Sequence, residues 1–138
     1  PKAEPADTKA APAGTKAAET VSAQDLKDRG ALCFKQNDLQ GAIREWQRAL
    51  AACGGDKAMQ VALNANLALA YVKVDDQQSA IKHSETVMQM STPSDTTYHK
   101  ALHRRALARD KLGQLEAAME DFRELHKLMR LSPQVQAE

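Results

Sequence analysis

The sequence repeats one arrangement of large and small residues at an interval of 38 residues. Small residues recur in register in three copies, as Gly30, Ala42, Ala68, Ala80, Ala106 and Ala118. Large residues such as Leu26, Phe34 and Trp46 stand beside them in the first copy. This alternation is typical of two helices that pack closely as a hairpin. Because one such hairpin cannot bury its own apolar face, three copies predict a stacked all-α solenoid.

Turn and capping residues divide the three copies into six helices. Ser22 and Asp25 resemble a capping box, which predicts that the first helix begins at about residue 23. Asparagine, aspartate, glycine and proline mark the breaks, at Asn37-Asp38, Gly54-Gly55, Asp75-Asp76, Thr92-Pro93-Ser94-Asp95 and Gly113. The predicted helices are about 23–36, 39–52, 57–74, 77–90, 96–112 and 115–130.

The chain is predicted to hold one folded domain with a flexible segment at each end. Residues 1–21 contain seven Ala, three Pro and three Lys but only one Val. This segment buries too little apolar surface to offset the entropy of ordering, so we expect a disordered linker. We expect the domain at residues 22–131, with repeats at about 23–56, 61–94 and 99–132, and a flexible tail at 132–138. Because the sequence does not begin with Met, we expect it to be part of a longer protein.

Charge and composition disfavour several functional classes. The chain has 19 basic and 18 acidic side chains, so its net charge gives no case for nucleic-acid binding. No apolar run approaches the roughly 20 residues of a membrane span. Cys33 and Cys53 have neither metal-ligand spacing nor a disulfide pattern. We therefore expect a cytoplasmic location and no metal or other cofactor.

The first helix of each hairpin is expected to line the concave groove of the solenoid, and these helices carry cations. Lys27 and Lys35 share one face of the first helix, with Ala31 between them. Lys100 and Arg104 are four residues apart on the fifth helix and project together. Charge-assisted bonds from such groups to a carboxylate are worth about 1.5 to 3 kcal/mol each. The spacing therefore indicates a receptor for carboxylates, with a solvated helix face as the alternative.

Uncharged residues of the same helices complete the predicted groove. Asn66 lies in the apolar string LNANLALAY, where its amide needs a partner from the backbone, water or a ligand. A helix-packing role for this amide remains open. We expect Leu69, Lys73 and Leu107 to line the groove beside it.

The alternation over about residues 23–130 resembles the tetratricopeptide repeat, although the period here exceeds that family's usual unit of about 34 residues. The strings LKDRGA, NLALAY and KALHRRALA are similar to the LKxKGN, NRAAAY and KALYRRALA of its dicarboxylate-clamp subgroup. The resemblance implies that Lys27, Asn66, Lys100 and Arg104 hold two carboxylates, while Ala31 replaces the clamp's other Asn. It also implies a right-handed solenoid that binds the Glu-Glu-Val-Asp tails of heat-shock proteins 70 and 90, as co-chaperones do.

Two other functions remain open. A scaffold of the same fold would bind an internal peptide or a protein surface and would need no free carboxylate. The domain could also serve as the targeting part of a larger enzyme, such as a prolyl isomerase or phosphatase. No nucleophile with a nearby base and no phosphate loop stands out, so we expect no catalytic activity in this chain.

Several remaining side chains have structural predictions. Arg105 and Arg109 are expected to pair with acids of a neighbouring helix, and His99 and His103 lack a third metal ligand. Aromatic and methionine side chains are expected to fill the core, namely Trp46, Tyr71, Phe122, Met88, Met90, Met119 and Met129. We expect a monomer, although Leu125, Leu128 and Leu131 leave an apolar strip for a partner or a second copy.

Overall fold

The structure, a computed structural model, describes residues 21–131. These residues form six helices and no strand: α1 (Ala23–Lys35), α2 (Leu39–Ala52), α3 (Lys57–Lys73), α4 (Gln77–Met90), α5 (Thr96–Lys111) and α6 (Leu115–Arg130). Helices α2, α4 and α6 have the predicted bounds. The other three helices end one residue before the predicted end, because Gln36, Val74 and Leu112 are their C-caps. The predictions for residues 1–20 and 132–138 lie outside the described residues. Val21, assigned to the linker, instead packs against the core.

The turn inside each hairpin has the same backbone geometry. Asn37, Asp75 and Gly113 adopt positive φ angles of 63°, 65° and 82°. These residue types tolerate the left-handed conformation best. The next residue then caps the second helix in two of the hairpins: the Asp38 carboxylate accepts from the Gly41 amide at 2.9 Å, and Asp76 accepts from Ser79 at 3.3 Å. The interval of 38 residues is thus a repeat of the turn as well as of the packing residues.

The first hairpin closes around Trp46, which is buried as predicted. A Cβ atom at Gly30 would clash with the indole of Trp46, so only glycine allows the indole to sit there. The indole N–H donates to the Lys27 carbonyl oxygen at 3.0 Å, and the Phe34 ring lies 5.9 Å away. These contacts fix the backbone of α1 at Lys27.

Each hairpin packs on the next. The core around Trp46 continues into α3 through Leu63 and Leu67, and a second cluster joins Ala65 of α3, Val87 of α4 and Ala101 of α5. Helix α3 also lies against α5. The stacked all-α solenoid predicted from the repeat is therefore confirmed.

A buried carboxylate connects the last three helices. Asp121 of α6 accepts two hydrogen bonds from Arg105, at 3.0 and 2.8 Å, and one from Arg109 at 2.9 Å. Arg105 also reaches Glu85 of α4 at 3.2 Å. Burial alone would lower the pKa of Arg105, but the hydrogen bonds and charges of Asp121 and Glu85 raise it. The predicted pairing of Arg105 and Arg109 with acids of neighbouring helices is confirmed.

The prediction that Phe122, Met119 and Met129 fill the core is wrong, because all three are exposed on α6. Phe122 has the repeat position of Trp46, but α6 is the last helix among residues 21–131, so no further hairpin there packs on it as α3 packs on the first hairpin. Tyr71 is partly buried, and its ring stacks on His83 with centroids 5.4 Å apart.

Candidate functional site

A pocket of about 490 Å³ opens between α1 and α3. Its lining residues are Asp28, Ala31, Leu32, Phe34, Lys35, Trp46, Asn66 and Leu69. Four of the predicted groove residues therefore meet in one place, Ala31 and Lys35 from α1 and Asn66 and Leu69 from α3. The pocket combines a cation, an amide and apolar walls.

Two amides in the string LNANL have different roles. Asn64 is 7% exposed, and both ends of its amide are hydrogen-bonded: its Nδ2 donates to the Gln60 carbonyl at 2.8 Å, and its Oδ1 accepts from His83 Nδ1 at 2.7 Å. Burial lowers the pKa of His83, with a further lowering by Lys82. Asn66, two residues later, is partly exposed and lines the pocket. The packing role considered for Asn66 belongs to Asn64.

Arg104 connects the third hairpin to the second. Its Nη1 donates to the carbonyl oxygen of Ala65 at 2.9 Å, one residue before Asn66. Burial lowers the pKa of Arg104, yet a guanidinium remains charged at neutral pH. Within residues 21–131 it has no carboxylate partner. A single hydrogen bond to Ala65 leaves N–H groups of Arg104 available to an anion.

The two predicted clamp lysines lie at different places on the solenoid. Lys27 is partly buried on α1, and its carbonyl oxygen is held by Trp46. Lys100 is exposed on α5, one turn before Arg104, and lines a second pocket of about 410 Å³ between α5 and α6. Neither lysine lines the pocket that contains Asn66.

Two predicted groove residues remain, Lys73 and Leu107. The Nζ atom of Lys73 lies 6.0 Å from the centroid of the Phe34 ring. Leu107 is partly buried on α5. Neither side chain lines the first or the second pocket.

Sequence reasoning missed Asp28 and Leu32 as pocket residues. Residues 28, 31, 32 and 35 follow the i, i+3, i+4, i+7 spacing of one helix face, so the signal was present once Ala31 and Lys35 had been assigned. Asp28, which accepts from Gln24 Nε2 at 2.9 Å, adds a negative charge to a pocket predicted to be cationic.

Features of other functional classes are not found in the described part of the chain. No helix of residues 21–131 has the length and hydropathy needed to cross a membrane. The same residues bring no three His, Cys, Asp or Glu side chains together around a metal position. His99 Nε2 instead donates to the Pro93 carbonyl at 2.8 Å, and the His103 ring meets the Phe122 ring edge-on.

The fold and its open pocket define a helical-repeat domain with a binding groove. No family model matches the chain. Solved structures of tetratricopeptide repeat (TPR) domains are similar to this chain. The second TPR domain of Spaghetti (RPAP3), bound to the HSP90 peptide SRMEEVD, is 34% identical, with a TM-score of 0.66 over 78% of this chain and 92% of that one. The second TPR domain of human RPAP3, in complex with the HSP70 peptide SGPTIEEVD, is 32% identical, with a TM-score of 0.67 over 83% and 89%.

These similarities show that the chain belongs to the tetratricopeptide repeat family. A curated relative, the peptidyl-prolyl cis-trans isomerase FKBP42 of Arabidopsis thaliana, is 29% identical over 123 residues. The match covers 79% of this chain and 33% of FKBP42, so the chain spans about a third of that relative's length.

Proposed function

We propose that this domain binds the acidic C-terminal tail of a heat-shock protein 90 or 70 chaperone and acts as a co-chaperone or adaptor. Lys27, Asn66, Lys100 and Arg104 receive the terminal carboxylate and the last acidic side chain. Leu69 and Leu107 contact the aliphatic side chain upstream. The peptides bound to the similar RPAP3 domains end in Glu-Glu-Val-Asp, which presents these carboxylates.

The position of Arg104 is the observation that carries the proposal. Its bond to Ala65 holds a guanidinium from α5 beside the residue that precedes Asn66 on α3. This hydrogen bond supports the proposal, because it brings a cation with further N–H groups from the third hairpin to the backbone one residue before a pocket-lining amide. A carboxylate bound there replaces water with charge-assisted bonds to partly buried donors.

Removing either cation of α5 should weaken binding of an acidic C-terminal peptide. We expect Lys100→Ala and Arg104→Ala each to cost about 1 to 3 kcal/mol of binding free energy, because each loses charge-assisted bonds. Wild-type binding should also weaken as salt screens the charges. Fluorescence anisotropy with a labelled peptide measures both effects.

Lys82→Ala is the matched control, since Lys82 is an exposed lysine on α4 and lies outside the groove. Its affinity should equal that of the wild type. Because Arg104→Ala also removes the bond to Ala65, its circular dichroism spectrum and melting temperature are measured alongside. Folded Lys100→Ala and Arg104→Ala variants with wild-type affinity would exclude the proposed clamp.

The similarity to FKBP42 favours a second proposal, in which this domain directs an enzyme domain to its place of action. In this proposal the tetratricopeptide domain brings a prolyl isomerase domain of the same polypeptide to a chaperone. The full-length coding sequence tests this proposal, because an open reading frame without a catalytic domain would exclude this arrangement.

We also propose that the protein is cytoplasmic. Cys33 and Cys53 are both unpaired, as in a reducing compartment.

A further inference from the structure

The pocket between α1 and α3 is lined mainly by apolar side chains. Five of its eight lining residues are of this kind: Ala31, Leu32, Phe34, Trp46 and Leu69. Leu32 is 56% exposed, so part of this apolar wall is open to solvent. Covering such a wall with an apolar group of a ligand removes hydrocarbon surface from water and is favourable. The pocket therefore has the character of a site for an apolar side chain.

Charges at the pocket disfavour a charged side chain there. Asp28 would repel an acidic group, and Lys35 would repel a basic one. Within residues 21–131 neither of the two is in an ion pair, so neither charge is neutralised. A polar side chain against the apolar walls would leave its hydrogen-bonding groups unpaired, which is costly.

Asn66 determines which residue of a bound peptide lies at this pocket. In the proposed function, Asn66 is one of the groups that receive the carboxylates of the terminal residue. Asn66 and Leu69 are three residues apart on α3, and both line the pocket. Because consecutive Cα atoms are about 3.8 Å apart, the residue before the terminal one is the neighbour within reach. The peptides bound to the similar RPAP3 domains both have valine there.

Alanine at position 31 leaves room for more than a valine side chain. Ala31 is exposed on α1 and contributes only a methyl group to the wall. The pocket volume is about 490 Å³, within the range of roughly 300 to 1,000 Å³ for sites that hold small-molecule ligands. A short branched side chain fills part of this volume, and the unfilled part forfeits dispersion contacts. A longer apolar side chain gains those contacts.

We propose that this pocket is a specificity site for the residue before the terminal acidic residue, and that it prefers an apolar residue larger than valine, such as leucine. Ala31 is the residue that sets this preference. The inference rests on the proposed function and names a class of partner: acidic C-terminal tails in which a large apolar residue precedes the last one.

The test compares three labelled peptides by fluorescence anisotropy: Met-Glu-Glu-Val-Asp, Met-Glu-Glu-Leu-Asp and Met-Glu-Glu-Ala-Asp. We expect the leucine peptide to bind about fourfold more tightly than the valine peptide, because it buries one more CH₂ group. The alanine peptide should bind more weakly than both. Binding of the valine peptide as tight as that of the leucine peptide, or tighter, would overturn this inference alone. No binding of any peptide would overturn the proposed function as well.

Filling the pocket from α1 tests its position. Ala31→Leu should abolish the preference for the leucine peptide, because the added side chain occupies the space that the ligand requires. Ala52→Leu is the matched control, at an exposed position at the end of α2, and should retain the fourfold preference. A preference that persists in Ala31→Leu would overturn the assignment to this pocket. Circular dichroism verifies that both variants are folded.

Discussion

Ala31 stands where the resemblance implies an asparagine, and its surroundings can accept one. The residue is exposed on α1 and lines the same pocket as Asn66 and Lys35. Alanine offers no hydrogen bond to a carboxylate bound there. The proposed site therefore has one amide where its relatives in the clamp subgroup have two.

Restoring that amide should strengthen binding. We expect Ala31→Asn to tighten an acidic C-terminal peptide by about 1 kcal/mol, or roughly fivefold, from one added hydrogen bond. Isothermal titration calorimetry of both proteins with the same peptide measures the difference. Ala52→Asn, at an exposed position at the end of α2, controls for a general effect of the substitution. Equal or weaker binding by Ala31→Asn would argue against a carboxylate at this position.

At the scale of the element, the rotation of α5 decides which arginine reaches α3 and which arginines reach α4 and α6. Arg105 and Arg109 are held by Asp121 and Glu85, on α6 and α4. Arg104 lies on a different side of the helix and reaches Ala65 of α3. The carboxylate of Asp121 thus orients the helix that presents Arg104 and Lys100.

Loss of the Asp121 carboxylate should destabilise the fold. Its side chain is 6% exposed, so Asp121→Ala leaves two arginines without their main partner, at a cost of about 3 kcal/mol in the free energy of unfolding. Glu85→Ala is the control, because Glu85 is 41% exposed and the same loss should cost less than about 1 kcal/mol. Urea unfolding measures the free energy of unfolding of both variants. Similar costs for both variants would contradict a structural role specific to Asp121.

The contact between α3 and α4 should make stability depend on pH. Burial holds the pKa of His83 below its ordinary value of 6.5, so the unfolded chain binds the proton more tightly than the folded one. Stability should therefore be full above that value and fall as the pH drops below it.

Urea unfolding at about pH 7.5 and pH 5.5 measures this effect. His83→Gln should reduce the loss of stability at the lower pH, whereas the control variant His126→Gln, at an exposed position on α6, should retain it. An unchanged loss in His83→Gln would assign the pH dependence to other groups.

For the whole molecule, the helices were predictable because Asn37, Asp75 and Gly113 mark the same turn in every hairpin. The environment of each side chain was less predictable. The repeat gives Phe122 the position of Trp46, but the burial of that position depends on the next helix. Asn64 and Asn66 lie on the same apolar string, and only the orientation of α3 separates the packing amide from the pocket amide.

The central claim is that the groove binds a free C-terminal carboxylate. Its most direct test is titration of the domain with a fluorescent Met-Glu-Glu-Val-Asp peptide and with the same peptide amidated at its C-terminus. We predict micromolar binding of the free acid and loss of that binding on amidation. Equal affinity for the two peptides, or no binding of either, would contradict the claim.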